Sequence, residues 1–370
     1  NTPLDTVDRM DVKKAAQQSR FIAHMIGNLA SISKISGKKR PRKGFAVIQG
    51  RANFLRQGAV FADAPAPGSV ILSFQGPGIF KSMVDEFGRF SINGVATKKL
   101  SLHKVIIEGY RFDPLTGKTV WAIDKNKTSK TQYRLKIQKK NMETDLVMFP
   151  CNQATIVNLL EPRTFNYMTK LQLFDARMDA KPVKYWYSRI DTRESTICSI
   201  FLEPGTRMKL ALSDTLLTNK LILTRADHEH PLGKGYRIDK TPLISPTRYL
   251  AAKDMWQMLN PRVDNLERKS INNQQIRDLR ILGNAQLSKA ESALSAFKYD
   301  QFFKSSGAAL ALAGQVYNHV EKIQKDVLYG VLFYIVLFAP FAFCLERFAF
   351  AFINVYKRIA GFLGILITLI

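Results

Sequence analysis

The chain has 370 residues, with 55 Lys and Arg against 30 Asp and Glu, for a formal net charge of +25. That length accommodates roughly two or three domains, and the positive surplus attracts polyanions (nucleic acid, anionic lipid headgroups or acidic glycans) without specifying a fold. Zinc-finger spacing, an RNP-type strand motif and a basic leucine-zipper pattern are all missing, so no specific nucleic-acid partner is expected.

The N-terminal stretch NTPLDTVDRMD places Asp5, Thr6 and Asp8 ahead of a helical pattern of Ala16, Phe21, Ile22, Met25, Ile26 and Leu29. With no initiator Met and no signal peptide, it predicts a chain that begins inside a longer protein. Thr2, Pro3, Asp5, Thr6 and Asp8, with the helix through Arg20 to Leu29, resemble the closing metal-site loop of metallopeptidase family 28, the zinc aminopeptidase-like di-zinc exopeptidases. The resemblance implies that residues 1–33 are the C-terminal remnant of a peptidase-like α/β domain, whose last helix packs on its sheet. It also implies zinc as a possible cofactor of the full-length protein, with the Asp5 carboxylate fixing ligand geometry. Where that family has a zinc-binding histidine this sequence has Asn1, and an amide oxygen is a poor zinc ligand. A degenerate site, or a different one, is implied.

Residues 34–44, KISGKKRPRKG, form a basic linker punctuated by Gly37, Pro41 and Gly44. Over residues 45–140 the stretches FAVIQGRANF, SVILSF, DEFGRFSINGV, HKVIIEGY and TVWAI alternate as half-exposed strands do, with Pro- and Gly-rich turns between them. Gly50, Pro67-Gly68, Val70, Asp85 with Gly88, Arg89-Phe90 and Gly109-Tyr110 resemble the carboxypeptidase regulatory-like domain, a transthyretin-like β-sandwich. That resemblance implies a structural or binding module without catalysis.

Residues 141–245 read as a second β-rich domain packed on the first. In it, strand alternation gives Tyr185 and Tyr187 one face and Trp186 the other, which suits either an aromatic platform for a sugar or core packing. Cys151 and Cys198 fall in the same region, as a disulfide in an oxidising compartment or as two buried thiols. In Asp227-His228-Glu229-His230 an extended chain turns both histidines to one side, as metal ligation needs. Pro231 and Gly233 beside them argue for a solvated loop.

From residue 246 to 326 the period becomes helical. One helix is expected to stop at Asn260-Pro261. A seam of Ile276, Leu279, Gly283, Leu287, Ala290, Leu294 and Phe297, then of Phe302, Ser306, Ala309, Ala313, Val316, Val320 and Ile323, predicts a helical hairpin stalk. Residues 327–345, Val327 to Leu345, carry no charge over a length that crosses a bilayer. Tyr329 is placed for an interfacial belt, and Pro340 is tolerated in a membrane helix. Residues 359–370 look like the start of a second span. Arg347, Lys357 and Arg358 beyond the first span, against Lys322 and Lys325 before it, place residues 1–326 in the periplasm or at the cell surface.

The expected fold class is therefore multidomain: β-sandwich domains, an α-helical hairpin stalk, a transmembrane helix and an N-terminal helix from an incomplete α/β domain. No nucleophile elbow, phosphate loop or pair of catalytic carboxylates declares itself. The expected function is the extracytoplasmic binding or scaffold portion of a membrane-anchored peptidase-family protein. The alternative is the outer module of a multi-span transport or envelope-assembly complex, resembling FtsX-like permeases in domain order. The expected partners are the lipid bilayer, other membrane proteins, and anionic polymers or lipid headgroups.

Overall fold

The computed structural model describes residues 11–31, 43–56, 59, 61–162, 164–168, 170–190, 195–213, 219–350 and 353–369. Asn1, Asp5 and the rest of the opening loop, with most of the basic linker, lie outside these residues. Helix α1 (Val12–Ser31) starts at Asp11, whose carboxylate accepts the Lys14 N–H at 3.1 Å. Its Phe21, Ile22, Met25 and Ile26 are exposed.

The first β unit contains β1 (Phe45–Phe54), β2 (Ala64–Pro65), β3 (Val70–Gln75), β4 (Gly78–Met83), β5 (Arg89–Ala96), β6 (Val105–Phe112), β7 (Thr119–Ile123), the short α2 (Lys130–Tyr133), β8 (Arg134–Leu135), β9 (Asn141–Glu143) and β10 (Leu146–Pro150). Strand β1 serves two layers. Its first part pairs antiparallel with β5 and parallel with β9; from Ala52 onward it pairs parallel with β10 and antiparallel with β2. The second layer continues from β10 through β7, β6 and β3 to β4. Ala46, Ile48, Phe90 and Ile92 from one layer, and Ile71, Ile107, Ala122 and Met148 from the other, enclose one core, as alternation on facing sheets requires. A Cβ on Gly50 would lie 1.6 Å from the Thr144 carbonyl oxygen, so only glycine lets β1 pass that backbone. The turn expected at Asp85 to Gly88 is present. Asp85 Oδ1 accepts the Phe87 and Arg89 N–H groups at 3.0 and 2.7 Å, and Gly88 has φ +78°.

Strand β10 sits between β1 and β7, so the first unit extends to about residue 150 rather than ending at 140. The second unit then has β11 (Asn152–Val157), β12 (Gln172–Asp175), β13 (Tyr185–Tyr187), β14 (Ile197–Leu202), β15 (Arg207–Ser213), β16 (Asn219–Leu223), β17 (Tyr236–Arg237) and β18 (Leu243–Ile244). They form a sheet ordered β13-β14-β11-β18 and another ordered β12-β15-β16, with β17 on β15. This unit does not close a core by itself. Ile156, Ile200, Leu210 and Leu223 share one cluster with Met255, Trp256, Leu259, Ala309, Ala313 and Val316 of the helices that follow.

Those helices are α3 (Thr247–Arg268), α4 (Gln274–Ser295) and α5 (Tyr299–Ala349). Helix α3 does not stop at Asn260-Pro261: Pro261 lies inside it. Proline removes one intrahelical hydrogen bond, while buried Leu259 and Val263 on either side hold the helix on the core. The stalk is accordingly three helices fused to the second β unit, not a free two-helix hairpin. Trp256 Nε1 donates to the Ala309 carbonyl at 3.0 Å, joining α3 to α5. A Cβ on Gly283 would come within 1.9 Å of the Trp256 ring, so α4 approaches α3 through a glycine. Phe302, Ser306, Ala309, Ala313, Val316 and Val320 are buried as the spacing requires. Phe297 departs from the seam, because α4 has ended and the residue sits exposed at φ +55°.

Candidate binding face and membrane segment

Strand β13 is only three residues, YWY, held antiparallel on β14. Alternation sends Trp186 inward and leaves Tyr185 and Tyr187 half-buried on the other face. Trp186 joins the core of the first β unit and donates from Nε1 to the Tyr110 hydroxyl at 3.2 Å. Tyr110 in turn donates to Glu108 Oε2 at 2.8 Å, and the Arg189 backbone N–H donates to Glu108 Oε1 at 2.7 Å. Burial pushes Glu108 up to about 6 despite these hydrogen bonds, and it pushes the Tyr110 hydroxyl well above its usual range. Trp186 is therefore a core residue in the joint between the two β units, and is not part of an exposed platform.

The opposite face is organised by a residue that alternation did not reveal. Lys125 follows β7, and its N–H donates to the Tyr185 carbonyl at 3.0 Å. Its Nζ lies 4.1 Å from the Tyr187 ring centroid and 5.4 Å from that of Tyr185. Asn126 Nδ2 fixes the approach by donating to the Pro182 and Val183 carbonyls at 2.9 and 2.6 Å. Tyr133, at the end of α2, stands edge-on to Trp186 with ring centroids 5.2 Å apart. No carboxylate among the described residues lies within ion-pair distance of the Lys125 ammonium. Burial, then the charges of Lys181 and Lys130, pull its pKa down to about 8.

The Asp227–His230 loop gathers a different set from the one expected. Ligand atoms of Asp227, Glu229 and His230 lie within 4.8 Å of one another, and His228 is not among them. Lys234 Nζ lies 2.6 Å from Asp227 Oδ2 and 4.0 Å from Glu229 Oε2, so an ammonium already supplies the positive charge there. The hydrogen bond from Lys234 leads in holding Asp227 down at about 2. Cys151 and Cys198 are free and belong to different cores, so they do not form a disulfide. Burial pushes Cys198 up to about 12 and Cys151 higher still, which makes both thiols inert.

Helix α5 has 51 residues, long and apolar enough to cross a membrane, and 6% of its most apolar window is buried. Val327, Tyr329, Leu332, Phe333 and Leu337 are exposed, and the helix continues through Pro340 and Leu345. That exposure argues against the core helix of a soluble fold. Helix α6 (Val355–Leu369) returns along α5: Phe343 and Glu346 meet Arg358, Ile359 and Phe362, with Arg358 Nε 3.9 Å from Glu346 Oε2.

No protein-family model matches this chain, and no curated protein matches it. Among solved structures it is similar to the Bacillus anthracis TIE protein, at 8% identity and TM-score 0.18 over 45% of this chain and 27% of that one. It is similar also to the fimbrial anchor protein Mfa2 of Porphyromonas gingivalis, at 14% identity and TM-score 0.19 over 48% and 81%. A mutant of the shaft pilin SpaA of Lactobacillus rhamnosus GG matches at 6% identity and TM-score 0.18 over 48% and 93%.

Proposed function

We propose that the chain is the extracytoplasmic binding and scaffold portion of a membrane-anchored protein, with its two β units held on the bilayer by α5. The observation that carries this reading is the continuity of α5. Val320, 1% exposed, closes the second core, and the same helix goes on within a few residues into the exposed apolar run that starts at Val327. No flexible linker intervenes, so the β units are oriented rigidly with respect to the membrane. The titratable groups that burial perturbs have structural work. Asp254 accepts the N–H groups of Thr224, Arg225 and Ala226 and the Tyr236 hydroxyl; Glu108 serves Tyr110 and Arg189. Neither carboxylate is free to act as a catalyst, in keeping with a binding role. The peptidase-family parentage and its zinc belong to this proposal and rest on the sequence resemblance of the opening loop. Elemental analysis of the full-length product is expected to find about two zinc ions per chain if the parent domain is an intact di-zinc peptidase.

A second reading, the outer module of a multi-span complex, is supported by the return of α6 along α5. The two share one test of placement. In intact cells or spheroplasts, Lys127→Cys is expected to react with a membrane-impermeant thiol reagent. Protection that disappears on lysis would place the β units on the cytoplasmic side and remove the extracytoplasmic reading.

A further inference from the structure

We propose that the face formed by Lys125, Tyr133, Tyr185 and Tyr187 binds an acidic polysaccharide, a chain of sugars bearing carboxylate or sulfate groups. Two features point to an anion. The Lys125 ammonium rests over the Tyr187 and Tyr185 rings at 4.1 and 5.4 Å, with no carboxylate among the described residues to neutralise it. Lys130 and Lys181, both exposed, add like charge close enough to make the Lys125 ammonium less stable. Neighbouring cations without counter-charge repel one another, and an incoming anion relieves that repulsion.

Two further features select a sugar over a nucleic acid. Sequence-tolerant nucleic-acid binding stacks bases on open aromatic faces, whereas here the ammonium lies over both rings of β13. Tyrosine hydroxyls and ring edges remain, and these suit the hydroxyls and C–H groups of a pyranose. Tyr185 and Tyr187 are two residues apart on one strand face, about 7 Å along the strand, so they offer adjacent contacts along an extended chain. The choice of a glycan also rests on the extracytoplasmic placement proposed above.

The test is calorimetric titration of the full chain, purified in detergent micelles, with a hexameric polyuronate. The comparison ligands are a neutral hexaglucose and a single-stranded oligonucleotide of equal charge. Saturable binding of the polyuronate is expected, with little binding of the neutral sugar and weaker binding of the oligonucleotide. Lys125→Met and Tyr187→Ala are each expected to weaken it about tenfold, the loss typical of a central contact, while Lys289→Met on α4 leaves it unchanged. Lys130→Met with Lys181→Met, both exposed and safe for folding, should weaken it severalfold and flatten its salt dependence. No polyuronate binding, equal binding of the neutral sugar, or an oligonucleotide bound as tightly would each overturn the proposal. An equal loss from Lys289→Met would do the same, since it would leave only net charge as the cause. Because the titration is done in micelles, its outcome is independent of which side of a membrane the β units face, and the Lys127→Cys labelling decides that separately.

Discussion

Glu108 is a carboxylate placed where its charged form is costly. Its pKa is raised from 4.5 to about 6, so between those values the folded state binds more protons than the unfolded one. Stability from this group is therefore fully present below pH 4.5 and is lost as pH rises through about 6, a loss of roughly 2 kcal/mol for the printed shift. Glu108→Gln is expected to flatten that part of the stability–pH curve, measured by denaturant unfolding from pH 4 to 7.5; an unchanged slope would mean that Glu108 is not its source. Trp186→Ala removes a ring buried to 4% exposure and strands the Tyr110 hydroxyl network. A loss of about 3–5 kcal/mol is expected from the cavity, read as a fall in unfolding midpoint. By contrast Tyr185→Ala, on the half-buried face, is expected to cost clearly less than Trp186→Ala in the same assay. Equal costs would mean that the two faces of β13 are equally buried.

At the scale of elements, the join between β strands and helices matters most. Asp254 on α3 holds the exit of β16 through three backbone N–H groups and one hydroxyl. Asp254→Ala leaves those donors unmatched in a buried site, which costs more than losing a surface ion pair. A drop of about 3 kcal/mol or more is expected, with Asp254→Asn recovering part of it by accepting some of the same bonds. Gly283→Leu tests the α3–α4 contact directly. With the Trp256 ring 1.9 Å from the position of a Cβ, the helices must separate. Loss of the cooperative transition, or a strongly lowered midpoint, is the expected result; a wild-type midpoint would show that α4 does not pack there.

At the scale of the whole molecule, the three helices carry the second β unit's core directly into the membrane segment. A chain ending at Asp326 is expected to stay folded and to leave the membrane fraction, because every buried helical residue of the second core lies upstream of it. The full chain is expected to resist carbonate extraction. Release of the full chain by carbonate would remove the anchor, and aggregation of the shortened chain would mean that the core needs the span.

The amino-acid order alone determined the features that depend on short-range periodicity. The strands of the first unit, the Asp85–Gly88 turn, the α5 seam from Phe302 to Val320 and the uncharged run from Val327 are all carried by local spacing, which no distant contact has to supply. The opposite faces of Trp186 and Tyr185/Tyr187 were legible for the same reason. Which face is core was not, because that depends on the sheet that covers it. The tertiary structure alone decided four things. Leu146–Pro150 joined the first unit because two distant strands, β1 and β7, leave a place between them. Helix α3 ran through Pro261 because burial on either side outweighs one missing hydrogen bond. The second β unit completed its core on helices that follow it in the chain. Lys125 came to rest over two tyrosines some sixty residues away, because chain topology, which no local pattern encodes, brings β7 beside β13.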